Sequence, residues 1–364
     1  MIPSYNKIHN QFKLNGISFT REDLKEVGYS LIKEGEPYEV SIGDFLLDWL
    51  SDTPKIQVMT SGSTGKPKLI SLQKQAMVNS AIATGDFFGI SVGNNSLLCL
   101  SADYIAGKMM LVRAMILGME LDYVAPTSQP LASTRKAYDF VAMVPLQLER
   151  SLDSIDRIKT IIVGGAPLSD SLKEKVGEKR INIFETYGMT ETITHIAAKK
   201  ITFGPSTSNS HSDYFKLLPH IKIEKDQRNC LVVHAPKIWD APIITNDLVS
   251  IISDTEFQWL GRYDNIINSG GVKIIPEQIE NKLSSLIKGR FFVWGISDRE
   301  LGQKLILMVE GVSDTEKLLH TINTSGILKK YELPKEVYSL EKFAETKNGK
   351  IQRERSLKLV QISD

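Results

Sequence analysis

Between residues 56 and 190 short apolar runs alternate with longer amphipathic segments, and this alternation restricts the fold more sharply than any other feature of the chain. The runs cover residues 56–59, 96–100, 121–124, 140–144 and 160–163, and the segments between them predict helices over 74–88, 106–117, 145–152 and 169–176. Strands that alternate with helices pair in parallel through right-handed crossovers, because an antiparallel neighbour needs no helix to reach it. A layered α/β unit is therefore expected. From about residue 213 the pattern becomes short strands with turns, at 221–224, 230–234, 248–252 and 257–260, which predicts a β-rich subdomain. Beyond a boundary near residue 262 lie a helix from Pro276, strands near 291–294 and 304–309, and a helix over 314–325, a small α+β unit. Before residue 56 only the spacing of Ile42, Phe45, Leu46 and Leu50 reads as helical.

With 364 residues the chain can bury two separate cores. Its 44 basic and 43 acidic residues leave a formal charge of +1, which sets aside the broad cationic surface of a nucleic-acid binder. Cys99 and Cys230 are far apart and form no CxxC pattern, so two buried free thiols are expected. No apolar stretch reaches the roughly 18 residues of a membrane span, and the N-terminus has no apolar leader core, so a cytoplasmic protein is expected.

Three stretches carry chemistry. The first is Thr60-Ser61-Gly62-Ser63-Thr64-Gly65-Lys66-Pro67-Lys68. Glycines let backbone N–H groups turn inward, and the hydroxyls and ammonium groups add donors for phosphate oxygens. The spacing is not that of a Walker loop, since Pro67 follows Lys66, and taken alone the stretch also reads as an ordinary turn between strands. The second is the apolar run into Gly164-Gly165-Ala166-Pro167, where glycine admits a flat ligand to the backbone. The third, Glu185-Thr186-Tyr187-Gly188-Met189-Thr190-Glu191, joins a ring, a hydroxyl and a carboxylate that suit an adenine, a phosphate and Mg²⁺.

In this order and spacing the three stretches resemble the adenylate-forming superfamily of acyl-CoA synthetases, nonribosomal-peptide adenylation domains and beetle luciferases. The resemblance covers roughly residues 56 to 353. It implies that Thr60 to Lys66 hold ATP phosphates, that Gly164 to Pro167 line the adenine, and that Tyr187 stacks on it. It further implies Thr190 on the α-phosphate, Glu191 on Mg²⁺, and Asp247 and Arg262 on the ribose. Relatives usually carry glycine before this aspartate; here Asn246 stands there.

The same resemblance implies a large domain over 1–261, a hinge at 262–264 with Asp264 at its pivot, and a mobile domain over 265–364. In one pose a C-terminal lysine enters the site. Lys350, which follows Gly349, matches it, although the proline usual just upstream is missing. In the other pose the hairpin containing Gly270, Gly271 and Lys273 helps form a tunnel for coenzyme A. An ammonium between carboxylate and α-phosphate steadies the charge that builds during in-line attack.

The acid pocket departs from the common pattern. Many relatives carry a histidine near the start of the helix that follows the 96–100 strand; Tyr104 stands there instead. That helix is apolar except for Lys108 and Arg113. Five residues apart, they need not share one face; read from the residues alone, either both snorkel to the surface or one of them meets a second carboxylate on the substrate. The latter arrangement, with the short chain, resembles the o-succinylbenzoate–CoA ligases of menaquinone synthesis. The expected ligands are thus ATP, Mg²⁺, coenzyme A and a small carboxylic acid; a homodimer is compatible with the sequence. A carrier-protein acceptor and a non-catalytic nucleotide binder are the competing readings. The intact set Thr190, Glu191, Asp247, Arg262 and Lys350 weighs against the latter.

Overall fold

The computed structural model describes residues 3–59, 68–202, 214–345 and 351–360. From residue 95 onward the alternating segment forms the parallel half of a thirteen-stranded sheet, whereas the 56–59 run, expected to join it, pairs antiparallel in a two-stranded sheet of its own. In spatial order Asn182–Gly188, Ile158–Val163, Tyr138–Met143, Asn95–Leu98 and Glu120–Tyr123 pair in parallel. The connecting helices Ile105–Leu117, Pro145–Arg150 and Asp170–Gly177 follow the predicted segments closely. Ser169 caps the last of them by accepting from Leu172 N, which is why the chain turns helical there.

The β-rich stretch continues this sheet instead of forming one of its own. His195–Lys200 pairs antiparallel with Asn182–Gly188, and Phe215–Leu217, Glu256–Arg262, Ile243–Ser253, Cys230–His234 and Lys222–Lys225 extend it strand by strand. Asn182–Gly188 therefore lies where pairing changes from parallel to antiparallel. Both cysteines are buried and free, and the thiol of Cys99 donates to Ala142 O at 3.3 Å.

After residue 265 a second sheet places Val272–Ile274, Ile267–Ser269, Gly302–Glu310 and Phe291–Asp298 side by side, with Glu336–Leu340 parallel to Gly302–Glu310. Its core, around Ile267, Ile279, Leu283, Val293, Leu307 and Ile322, contains no residue from the first sheet. Helix Pro276–Leu283 starts on its proline, whose missing N–H would have been unpartnered there in any case.

Ahead of the alternating segment stand two packed helices, Arg21–Glu34 and Pro37–Leu50. The first, opened by a capping box on Thr20 and Asp23, is polar apart from a narrow face that buries Leu24 and Gly28. The end of the second is held by cations: Arg21 donates to Leu50 O at 2.6 Å, and the fully buried Lys74 donates to Ser51 O at 2.9 Å. Among the described residues no helix is long and apolar enough to cross a membrane.

Candidate active site

The Ser-, Thr- and Gly-rich stretch joins two paired strands. Lys55–Met59 and Leu69–Gln73 form an antiparallel pair that ends at Met59 opposite Leu69. The intervening Thr60, Ser61, Gly62, Ser63, Thr64, Gly65 and Lys66 lie outside the described residues. Helix Lys74–Phe88 follows at once and packs on helix Ile105–Leu117.

Gly164 and Gly188 stand at the carboxyl ends of adjacent strands, the edge of an α/β sheet where ligands bind. Gly165 takes φ +88°, a left-handed conformation open to glycine at little cost, and so turns the chain into Ala166 and Pro167. Gly188 is required for a different reason: a Cβ there would lie 2.3 Å from Thr194 O. Glu185 is buried beneath this turn; it accepts from Leu168 N at 3.3 Å, and Lys199 Nζ lies 3.0 Å from its other oxygen. Thr186 donates to Val163 O at 3.0 Å. Both side chains brace the turn rather than project from it.

Tyr187 and Asp247 meet across the sheet. The phenol donates to Asp247 Oδ2 at 2.6 Å, Trp259 Nε1 donates to Oδ1 at 3.1 Å, and Arg262 Nη1 stands 3.4 Å from the same oxygen. Asp247 is only 6% exposed, yet these donors keep a buried carboxylate satisfied. Burial, and then the charge of Asp247, push the Tyr187 phenol far above its usual value, so it remains a donor. Register accounts for the convergence, since Asp247 lies opposite Arg262 in the antiparallel pair. The second face of Arg262 donates to Asp264 at 2.9 Å.

Beyond Tyr187 the chain makes the short 3-10 turn Thr190–Thr192 and then a strained corner. Ile193 is buried at φ +65°, ψ −55°, and Thr194 N bonds back to Thr192 O at 2.7 Å, a γ-turn that a β-branched residue rarely adopts. Strain of this kind persists where surrounding structure fixes it, often beside a functional group. Here the corner aims Thr194 Oγ1 at Arg113 Nη2, 3.3 Å away. Glu191 itself is exposed. A single open carboxylate fits Mg²⁺, which keeps several waters and uses one or two carboxylates with substrate phosphates. No cluster of three metal-binding side chains occurs among the described residues, so the ion would rely on the nucleotide for the rest of its shell.

Arg113 is 1% exposed, so it does not snorkel. Its hydrogen-bond partners are Thr84 Oγ1 at 3.4 Å, Met110 Sδ at 3.7 Å and Thr194, and no carboxylate pairs with it among the described residues. Burial pulls its pKa to about 9, which still leaves it charged at neutral pH. His195 shares Thr84 at 3.3 Å and stays neutral, held well below its usual pKa by burial and then by the guanidinium.

Lys108 lies apart from Arg113 on the same helix. Five residues along a helix turn it by about 140° from Arg113, and its ammonium lies 5.1 Å over the Phe45 ring of helix Pro37–Leu50. Burial lowers its pKa, against the pull of Asp48, Asp103 and Asp44. Tyr104 is the half-buried residue that precedes this helix.

Gly270 and Gly271 both have positive φ, +57° and +81°, and form the two-residue turn between Ile267–Ser269 and Val272–Ile274. Lys273 is exposed beside it. Lys350 lies outside the described residues; an antiparallel bridge from Glu345 to Ile351 brings together the ends of the segment that contains it. Asp264 accepts from Asn246 as well as from Arg262. Thr84, Thr194, His195, Trp259 and Lys199 complete the site and carry no motif of their own.

Residues 50–230 match the model of a family described as AMP-binding enzyme. A 2-succinylbenzoate–CoA ligase of Bacillus cereus is 25% identical over 379 residues, spanning 94% of this chain and 77% of its own length. A solved acyl-CoA synthetase (AMP-forming)/AMP-acid ligase II-like protein from Dyadobacter fermentans is 36% identical, with a TM-score of 0.60 over 92% of this chain and 98% of that one. The o-succinylbenzoate CoA synthetase of Bacillus subtilis, solved with its acyl-adenylate intermediate, shares the fold at 21% identity, with a TM-score of 0.73 over 95% of this chain and 82% of that one. This chain belongs to the AMP-binding enzyme family.

Proposed function

We propose that this protein is an ATP-dependent acid–CoA ligase whose acid carries a second carboxylate, o-succinylbenzoate being the acid named by its relatives. In the first half-reaction a carboxylate oxygen attacks the α-phosphorus of ATP, forming an acyl-adenylate and expelling pyrophosphate. In the second, the CoA thiol attacks the acyl carbon, loses its proton and expels AMP.

In this reading Gly164, Gly165, Ala166 and Pro167 border the adenine with Tyr187, and Asp247 and Arg262 take the ribose hydroxyls. Thr190 meets the α-phosphate beside the loop from Thr60 to Lys66. Glu191 would hold Mg²⁺, which supplies charge neutralisation on the phosphates. Lys350 would stand between the acid and the α-phosphate, while residues 265–364 swing about Asp264 to bring Gly270, Gly271 and Lys273 to the CoA side. Tyr104 would border the acid.

The observation that carries the choice of acid is Arg113. A buried guanidinium without an anion is costly, and a substrate carboxylate is the partner that relieves the cost. Thr194 ties that guanidinium to the turn bearing Thr190 and Glu191, so both ends of a dicarboxylate are served. The test is acid-dependent exchange of pyrophosphate into ATP across a panel of aryl and aliphatic mono- and dicarboxylates, followed by thioester formation with CoA. Exchange with dicarboxylates and a CoA thioester as product are expected. Exchange with no acid would overturn the ligase reading, and equal exchange with monoacids would overturn the role of the second carboxylate.

A further inference from the structure

Asn246 closes a ring of contacts between two carboxylates that the proposed reaction uses separately. Arg262 spans Asp247 and Asp264 through its two terminal nitrogens, at 3.4 and 2.9 Å. On the other side, the Asn246 carboxamide donates through Nδ2 to both oxygens of Asp264, each at 3.1 Å. Its Oδ1 accepts from Arg228 Nη1 at 2.8 Å. Arg228 is anchored in turn: Nη2 donates to Thr245 O at 3.1 Å, Nε donates to Asp226 at 2.8 Å, and the guanidinium lies 5.2 Å from the Tyr263 ring. Arginine offers only donors, so the carboxamide oxygen must face it and the amide nitrogen must face Asp264. The orientation of Asn246 is thereby set from outside the ring.

The consequence is mechanical. For the chain to rotate at residue 264, Asp264 must leave Arg262 and both Asn246 contacts together. Arg262 cannot simply follow, because it also faces the ribose-side carboxylate, and Asn246 cannot, because its backbone adjoins Asp247 and its oxygen is held by Arg228. Three hydrogen bonds to one ionised group form a stronger restraint than the same number between neutral groups.

We propose that Asn246, oriented by Arg228, is a positioning residue that latches the hinge carboxylate Asp264 to the ribose-side strand. It thereby sets how the enzyme divides its time between the two half-reactions. The proposal rests on the two-step ligase reading and on Asp264 as the pivot.

The test uses the full-length protein and the variants Asn246→Ala, Asn246→Asp and Arg228→Met. Hydrogen exchange is followed at residues 263–266, where Ile266 N bonds to Tyr263 O at 3.2 Å. Pyrophosphate exchange and thioester formation from preformed acyl-adenylate are measured separately. Loss of the contacts speeds exchange by about tenfold and shifts the ratio of the half-reaction rates by a similar factor. Asn246→Asp, which sets like charges together, has the larger effect. Melting temperature and the KM for ATP stay at the parent values. A hinge that exchanges at the parent rate in all three variants, with an unchanged ratio, overturns the latch. So does a change in melting temperature or ATP affinity with the ratio unmoved, since that marks a merely structural role. Should the parent show no acid-dependent exchange of pyrophosphate, the ligase reading fails, and hydrogen exchange alone then decides whether the latch exists.

Discussion

Tyr187 and Asp247, 60 residues apart in sequence, share a hydrogen bond of 2.6 Å that joins the parallel half of the main sheet to its antiparallel half. The bond holds a ring of one half and a carboxylate of the other in fixed relation. In the antiparallel half, Trp259 and Arg262 hold the remaining oxygen of Asp247, so the carboxylate cannot rotate away from its strand.

Tyr187→Phe keeps the ring and removes that donor. One neutral-to-charged hydrogen bond of about 2 kcal/mol corresponds to a rise of about thirtyfold in the KM for ATP, with kcat nearly unchanged. Initial rates at varied ATP measure this, and an unchanged KM would show that the phenol does not orient the carboxylate.

His195 gives the stability a pH dependence whose sign is set by its burial. The imidazole is neutral in the folded protein, with its pKa depressed by burial and then by Arg113. In the unfolded chain it titrates near its usual value of about 6.5. Below that pH the unfolded state takes up a proton that the folded state refuses, so stability falls by up to about 1.4 kcal/mol per pH unit. His195→Gln removes this limb. Denaturant midpoints between about pH 5 and 7.5 should therefore fall less steeply in the variant than in the parent; identical slopes would mean the imidazole is protonated when folded.

Lys74→Met preserves volume but removes the donor to Ser51 O and Oγ, which the ammonium now reaches at 2.9 and 3.1 Å. The expected loss is about 1–3 kcal/mol of unfolding free energy, with the reaction rate unaffected. Urea denaturation measures it. A gain in stability would instead show that desolvating the ammonium costs more than its bonds return.

Much of this site could be read from the chain because its parts are contiguous. A strand that ends in Gly164 and Gly165, and another that ends in Tyr187 and Gly188, display local patterns that the fold then carries to one edge. Pro276 and Ser169 marked helix starts for the same reason. Relationships that depend on long loops closing were invisible. Arg113 finds Thr84 and Thr194 at separations of 29 and 81 residues, and no periodicity reports which neighbour a helix face will meet. Nor does helix phase say what stands opposite Lys108, and here it is Phe45. Helix Arg21–Glu34 was missed because its buried face is narrow. The corner at Ile193 ran against local preference altogether, since a β-branched residue is among the least suited to positive φ.

Arg113 bears most directly on the central claim. The measurement is kcat/KM for thioester formation from o-succinylbenzoate and from its aryl methyl ester, which replaces the second charge with a methyl group, in the parent and in Arg113→Met. A buried, charge-assisted pair is worth about 3 kcal/mol, so the parent should prefer the diacid by about a hundredfold, and the variant should lose that preference while still activating the ester. A parent that treats acid and ester alike, or a variant that keeps the full preference, would contradict the account.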